Sequence, residues 1–197
     1  MRSPPPRHTP TGAFTPKWIT KRWPAQNNSL LAVVLQTIQK DKTIIDVGAG
    51  GGTMVAKLRE SGRDCYGVDG IDGVYSLTGG LVCQQELTIP VAWDIDLDGY
   101  SGPAEWAICF EVGEHIPPSH EQQFLTNLCS AATEGMMVTW ATRAQSGGVG
   151  HCNCLDSWEV AERLAGFGWL VDDVLTQAAV KRVRRPFRKK LMVLTRG

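Results

Sequence analysis

The chain has 197 residues, 43% of them hydrophobic, with 20 Lys/Arg balanced by 20 Asp/Glu for a formal net charge of zero. That length supports one domain with a proper core and is short for two. Its longest unbroken apolar run, Leu30 to Leu35, is far below a bilayer span, and the start MRSPPPRHTP lacks the apolar core of a signal peptide, so a cytoplasmic protein without membrane contact is expected.

In chain order, residues 1–24, with SPPPRHTPTGAFTP, read as a flexible, basic, Pro-rich segment ahead of a domain over 25–197. NNSLLAVVLQTIQ (27–39) offers an Asn/Ser cap and apolar residues at helical spacing. KTIIDVG (42–48) is a β-branched strand ending in glycine, and GGTMVAKLRESG is an amphipathic helix closed by Gly62. DCYGVDG (64–70) reads as a second strand. LTIPVAWD (87–94) is the expected third strand, with LVCQQE (81–86) as its competitor. EWAICFE (105–111) is the fourth, continuous in apolar content as a strand covered on both faces should be. Ser119 and Gln122 have capping-box spacing and open a helix through Ala132. GMMVTWA (135–141), the helix LDSWEVAERLAGFG (155–168), and strands WLVDDVL (169–175) and KLMVLTR (190–196) complete the chain. Strands and helices alternate throughout, which predicts an α/β three-layer, Rossmann-like sandwich on a mostly parallel sheet.

Between the first strand and its helix, IIDVGAGGGT supplies glycines where a ligand approaches backbone and helix N-terminus. Asp69 follows Asp46 by 23 residues and ends the second strand, suited to gripping ribose hydroxyls. The nicotinamide fingerprint GxGxxG fits poorly, because Thr53 stands at its last glycine, and a Walker loop lacks its Gly-Lys-Ser/Thr. DVGAGGG, Asp69 and an acid after the third strand resemble the class I S-adenosylmethionine-dependent methyltransferases, over residues from about 27 to the end. The resemblance implies a seven-stranded sheet with its last strand antiparallel. It also implies that Gly48, Gly50 and Gly52 pass under the methionine moiety, Asp46 sits near its ammonium, and Asp69 holds the ribose. Asp94 would face the adenine amine, with Trp93 near the ring and Glu86 the rival for that acid.

FEVGEHIPP (110–118) closes the fourth strand with two carboxylates and an imidazole. Glu111, Glu114 and His115, at i, i+3 and i+4, are expected on one side of a single helical turn, which Pro117 stops at Ile116. Two acids placed so close repel unless a cation sits among them, and oxygen ligands with imidazole suit Mg²⁺ or Mn²⁺, or a transition metal such as Fe²⁺, Co²⁺ or Zn²⁺. The string ExxEH resembles the metal site of small-RNA 3′-terminal 2′-O-methyltransferases and of ubiquinone-biosynthesis O-methyltransferases. In the RNA group a histidine after the fifth strand completes the site, and His151 holds that place here. The dense HCNC at 151–154 lacks the second ligand pair of a zinc site, and the six scattered cysteines suit reduced thiols.

These readings imply methyl transfer from S-adenosylmethionine to a hydroxyl of a sugar, glycan or RNA end, with Glu111, Glu114, His115 and His151 as metal ligands. Glu111, Glu114 and His115 are also the candidate catalytic groups, His115 serving as general base if no metal is present. Amino-directed nucleic-acid methyltransferases carry Asn/Asp-Pro-Pro-aromatic where this chain has Glu-Val-Gly-Glu. Charge is segregated: residues 1–40 carry six Lys/Arg and residues 181–197 eight, neither with an acid, so the termini can hold RNA or a phosphorylated sugar, or simply solubilise the protein. A catalytically silent RNA-binding subunit of this fold is the reading of another class.

Overall fold

The computed structural model describes residues 8–19, 28–93 and 102–197. Seven strands form one sheet: β1 (Ile44–Val47), β2 (Cys65–Asp69), β3 (Val82–Gln84), β4 (Ala104–Phe110), β5 (Ala132–Thr139), β6 (Trp169–Val171) and β7 (Met192–Arg196). Their order is β3-β2-β1-β4-β5-β7-β6; β7 runs antiparallel to both neighbours and the other pairs are parallel. Among the described residues seven α-helices accompany them: α1 (Pro16–Ile19), α2 (Asn28–Thr37), α3 (Thr53–Glu60), α4 (Val74–Leu77), α5 (Glu121–Ser130), α6 (Ser157–Ala165) and α7 (Asp173–Val180). This is the expected three-layer sandwich with its antiparallel last strand.

Strand alternation sorts the core into two halves. Ile45, Val47, Ala107, Cys109, Met136 and Val138 meet Phe124, Leu125 and Leu128 of α5 and Val160 and Leu164 of α6. Ile44, Ile108, Met137 and Val193 face Leu30, Val33 and Val34 of α2, Val55 and Leu58 of α3, and Ala179 of α7. With both faces covered, the central strands need continuous apolar text, and β1 is buried at all four positions. No helix of the described residues is long and apolar enough to cross a membrane.

Three local expectations are corrected. The third strand is Val82–Gln84, from the competing stretch. Residues 87–91 are instead tied to Asn127, whose Nδ2 donates to the carbonyls of Leu87 (2.8 Å) and Ile89 (2.7 Å) while its Oδ1 accepts from Val91 N (3.1 Å). Pro90 lacks the donor a central strand requires. The sixth strand stops at Val171, because the Asp172 carboxylate accepts from Leu175 N (2.8 Å) and so caps α7. The Ser119/Gln122 capping box does not form: a 3₁₀ turn at Pro118–His120 precedes α5, and reciprocal boxes occur at Thr142/Gln145 and Asp156/Glu159.

Asn127 is 2% exposed, so Asn127→Ala strands polar groups that water reaches poorly. We expect a loss of about 1–3 kcal/mol in urea unfolding, with the denaturant slope unchanged.

Candidate functional site

The loops at the C-terminal ends of β1, β2 and β4 enclose a cavity, where ligands of open α/β sheets bind. Gly48 and Gly50 line it, together with Asp69, Ile71 and Leu87. Gly48 has φ 83°, and a Cβ there would lie 2.4 Å from a methyl of Val112, so only glycine lets the loops after β1 and β4 touch. Asp69 closes the loop, its carboxylate accepting from Gly50 N (2.7 Å) and Ile71 N (3.1 Å). Burial pushes that carboxyl up to about 6 against these amides. Burial, with the neighbouring Asp69 charge added, pushes buried Asp46 up to about 8. Gly52 stands ahead of α3 at φ 72°, packed toward Val82 and off the cavity wall.

With β3 at 82–84, the acid that follows it is Glu86, and Asp94 lies outside the described residues. Glu86 Oε2 accepts from Thr11 Oγ1 (2.8 Å), and its Oε1 accepts from Thr88 N (3.0 Å) and Oγ1 (2.7 Å). Trp93 points away from the cavity: its Nε1 donates to Asn127 O (3.1 Å) and Ser130 Oγ (3.0 Å) within the α5 core.

Beyond β4, Glu111 N still donates to Thr139 O (3.2 Å) and Oγ1 (3.0 Å), as though the strand continued. The chain then breaks at φ 59°, where Glu111 is the one non-glycine residue with positive φ among the described residues. Glu111, Glu114 and His115 therefore do not share one helical turn as expected. Only Gly113–His115 form a 3₁₀ turn, because Val112 is driven onto Gly48. Such a backbone costs on the order of 1–3 kcal/mol and persists where surrounding contacts enforce it. Here the enforcement is Trp140, against which Gly113 lies so closely that a Cβ would be 2.2 Å from the ring.

The turn carries Glu114 inward. It is 0% exposed, and neither carboxylate oxygen has a hydrogen-bond partner. Burial, then the charge of Glu111, holds its carboxyl well above the usual carboxylate range, against the backbone amides of Glu114 and Ala141, which lie nearby without hydrogen-bond geometry to either oxygen. The Glu114 carbonyl accepts from Cys152 N (2.9 Å) and Asn153 N (3.0 Å), and Trp140 Nε1 donates to Asn153 O (2.6 Å), which docks the loop bearing His151. His151 Nδ1 bonds Gln145 O (2.6 Å) and His115 Nδ1 bonds Gly150 O (3.2 Å). A carbonyl only accepts, so each Nδ1 carries a proton, and a ring in its neutral form keeps a bare Nε2. Burial, then His151, pushes His115 down to about 4.

Ligating atoms of Glu114, His115 and His151 all lie within 4.8 Å of one another. Orphaned carboxylate oxygens beside imidazoles whose Nδ1 atoms are held by the carbonyls of Gly150 and Gln145 fit a divalent cation. The fourth expected ligand, Glu111, is adjacent but gives one oxygen to Lys190 and keeps Oε1 buried without a partner. Lys190, 2% exposed, escaped sequence reasoning because it looks like the end of a solvated basic run; its place just before β7, at the site edge of β5, was the available signal. The N-terminal stretch was also missed. His8 and Phe14 form an antiparallel bridge, His8 stacks on His115 with ring centroids 5.5 Å apart, and Gly12, Ala13 and Phe14 wall the cavity.

A family model described as a methyltransferase domain matches residues 20–174. The chain belongs to that family and is an S-adenosylmethionine-dependent methyltransferase. Magnesium protoporphyrin IX methyltransferase from Synechocystis PCC 6803, solved with bound S-adenosylhomocysteine, superposes with a TM-score of 0.63 at 15% identity, covering 86% of this chain and 81% of that one. The sugar N-methyltransferase KedS8 from Streptoalloteichus sp ATCC 53650 gives 0.63 at 15% identity over 89% and 88%. A TehB-like SAM-dependent methyltransferase from Corynebacterium glutamicum gives 0.64 at 11% over 86% and 88%. At these identities the likeness is one of fold. No curated protein matches the sequence.

The Asp46 carboxyl keeps its proton in the fold up to about pH 8, whereas an unfolded chain releases it near 3.8. A raised folded value stabilises below the unfolded value and loses that contribution as pH rises through the folded one. Asp46→Asn should therefore gain stability relative to wild type between pH 4 and pH 8, by on the order of a few kcal/mol at about 1.36 kcal/mol per unit. Thermal melts across that range check it; parallel curves would contradict it.

Proposed function

We propose that this methyltransferase moves a methyl from S-adenosylmethionine to a hydroxyl of a sugar or ribose, with a divalent cation such as Mg²⁺ or Mn²⁺ at Glu114, His115 and His151 and the free oxygen of Glu111 beside it. The observation that carries this reading is the fully buried Glu114 carboxylate, unpartnered on both oxygens, with a ligating atom of each of two imidazoles within 4.8 Å. A buried carboxyl left in that state costs several kcal/mol unless a proton or a cation joins it. Both imidazoles are oriented through Nδ1 by backbone carbonyls, so the cluster meets a ligand without rearranging.

When bound, the cation supplies Lewis acidity, lowering the pKa of a hydroxyl it holds and fixing its direction. The protein's own groups do the rest. Asp69, turned toward the glycine loop, offers its carboxylate to ribose hydroxyls, and Asp46 regains its charge beside a cationic amine. Phe110, Val112 and Ile116 supply an apolar wall between the two halves of the site. The Lys190 ammonium takes one oxygen of Glu111 and leaves the other buried without a partner. A ring not saturated by the cation accepts the acceptor's proton at Nε2, and His115, neutral above about pH 4, is competent for it. A polar groove of about 330 Å³ is lined by His151 together with Arg143, Ser146, Cys152 and Cys154; it falls at the small end of ligand-site volumes, about 300–1,000 Å³, so it can seat the acceptor.

Asp69→Ala should weaken S-adenosylhomocysteine binding by roughly 1.5–3 kcal/mol in calorimetry, through loss of a charge-assisted contact. EDTA should abolish methyl transfer while leaving that binding nearly intact, and Glu114→Ala and His115→Ala should each lose Mn²⁺ binding and most of the turnover. His151→Ala should do the same as a ligand. Undiminished turnover by protein shown metal-free by mass spectrometry would remove the cation and leave His115 as a plain general base.

A further inference from the structure

The run from Lys181 to Lys189 is not a loose tail. Val183 and Phe187, one helical turn apart, are 1% and 4% exposed and belong to the core under α2 and α7. Their burial turns Lys181, Arg182, Arg184, Arg185, Arg188 and Lys189 outward, and all six are exposed. It is fastened at two points. Arg184 N donates to Ser29 Oγ (3.3 Å) near the start of α2, and Lys190, next in line, reaches Glu111 in the site. The segment thus crosses the edge of the sheet at which the cavity opens. Among the described residues none of the six makes an ion pair; Arg182 and Arg188 bond only backbone carbonyls, of Ala178 and Val183. Six uncompensated cations on an anchored rim repel one another unless an anion is brought to them.

A second observation, independent of charge, narrows the anion. Lys189 O accepts from Ser157 Oγ (2.5 Å), and the next residue, Trp158, is 67% exposed at the start of α6. The α6 helix buries Val160 and Leu164 and does not use this indole in its packing. A large aromatic left in water beside a cationic rim is the pairing by which single-stranded nucleic acid is held, phosphates on the Lys and Arg side chains and a nucleobase on the ring. The rim also lies beyond the residues shared with the family, 20–174. We propose that this rim and Trp158 bind single-stranded nucleic acid, leading a strand's ribose toward the groove at His151. The last clause rests on the methyl-transfer reading above; the binding surface does not.

Fluorescence anisotropy with a labelled single-stranded RNA of mixed sequence, without donor or metal, tests the surface apart from the chemistry. Binding should weaken with salt, and the combined Arg184→Ala, Arg185→Ala and Arg188→Ala variant should reduce the slope of log affinity against log salt by about 2, at about 0.7 per lost phosphate contact. Trp158→Ala should weaken binding roughly 5- to 100-fold, the equivalent of one stacked base, with the slope unchanged. Every changed side chain is exposed, so melting temperature and S-adenosylhomocysteine binding should match wild type and report intact folding. Equal affinity for inorganic polyphosphate or duplex RNA, with Trp158→Ala silent, would overturn the proposal, as would absence of RNA binding by wild type. If RNA binds as expected but carries no methyl after incubation with donor and Mn²⁺, the surface stands and the ribose acceptor falls.

Discussion

A carboxyl group with no exposure and no partner on either oxygen dictates much of what surrounds it. Glu114 is held in that position by contacts that serve little other purpose: a 3₁₀ turn on the face of Trp140, a left-handed Glu111, and a carbonyl that receives two amides from the histidine-bearing loop. Each is a departure from ordinary strand-to-helix geometry, and together they outweigh the strain at Glu111. Gly113 makes the contact with Trp140 possible, and Trp140 in turn holds the carbonyl of Asn153. The cluster of Glu114, His115 and His151 is therefore a consequence of packing below it, with the charged atoms left facing inward.

Three contacts tie the turn after β4, which carries Glu114 and His115 of this cluster, to its surroundings. Val112 touches Gly48, so the glycine loop and the turn after β4 cannot move independently. Residues 8–14 bridge the same two halves from above: Thr11 bonds Glu86, while His8 and Phe14 pack on His115. Lys190 makes the third connection, from the basic rim to Glu111. The glycine loop thus meets the turn at Val112, residues 8–14 meet it at His115, and Lys190 meets it at the Glu111 carboxylate.

Much of this was legible in the text of the chain. Continuous apolar strands, glycines at the first strand's end and an acid at the second's are local signals, and they specified the sandwich, the order of elements and the glycine–Asp69 half of the site. ExxEH and the later His151 were visible as residue types, and the structure draws Glu114, His115 and His151 together. What failed were signals whose meaning depends on distant partners. LTIPV looks like a strand until Asn127, 36 to 40 residues away, takes its backbone groups. DDVL looks like strand until Asp172 is seen capping the next helix. Lys190 is indistinguishable from its exposed neighbours by sequence, because its burial follows from the antiparallel return of β7 beside β5. His8 and Phe14 sit in a proline-rich stretch whose contacts with the site are long-range.

The central claim is that the buried Glu114 cluster and the glycine–Asp69 cavity are two halves of one site, the first built for a divalent cation and the second for the methyl donor. The most direct measurement is a crystal soaked with S-adenosylhomocysteine and Mn²⁺, with an anomalous difference map collected at the manganese edge. The account predicts ligand density against Gly48, Gly50 and Asp69 and one anomalous peak bounded by Glu114, His115 and His151. Density for the ligand with no anomalous peak at that cluster would contradict it.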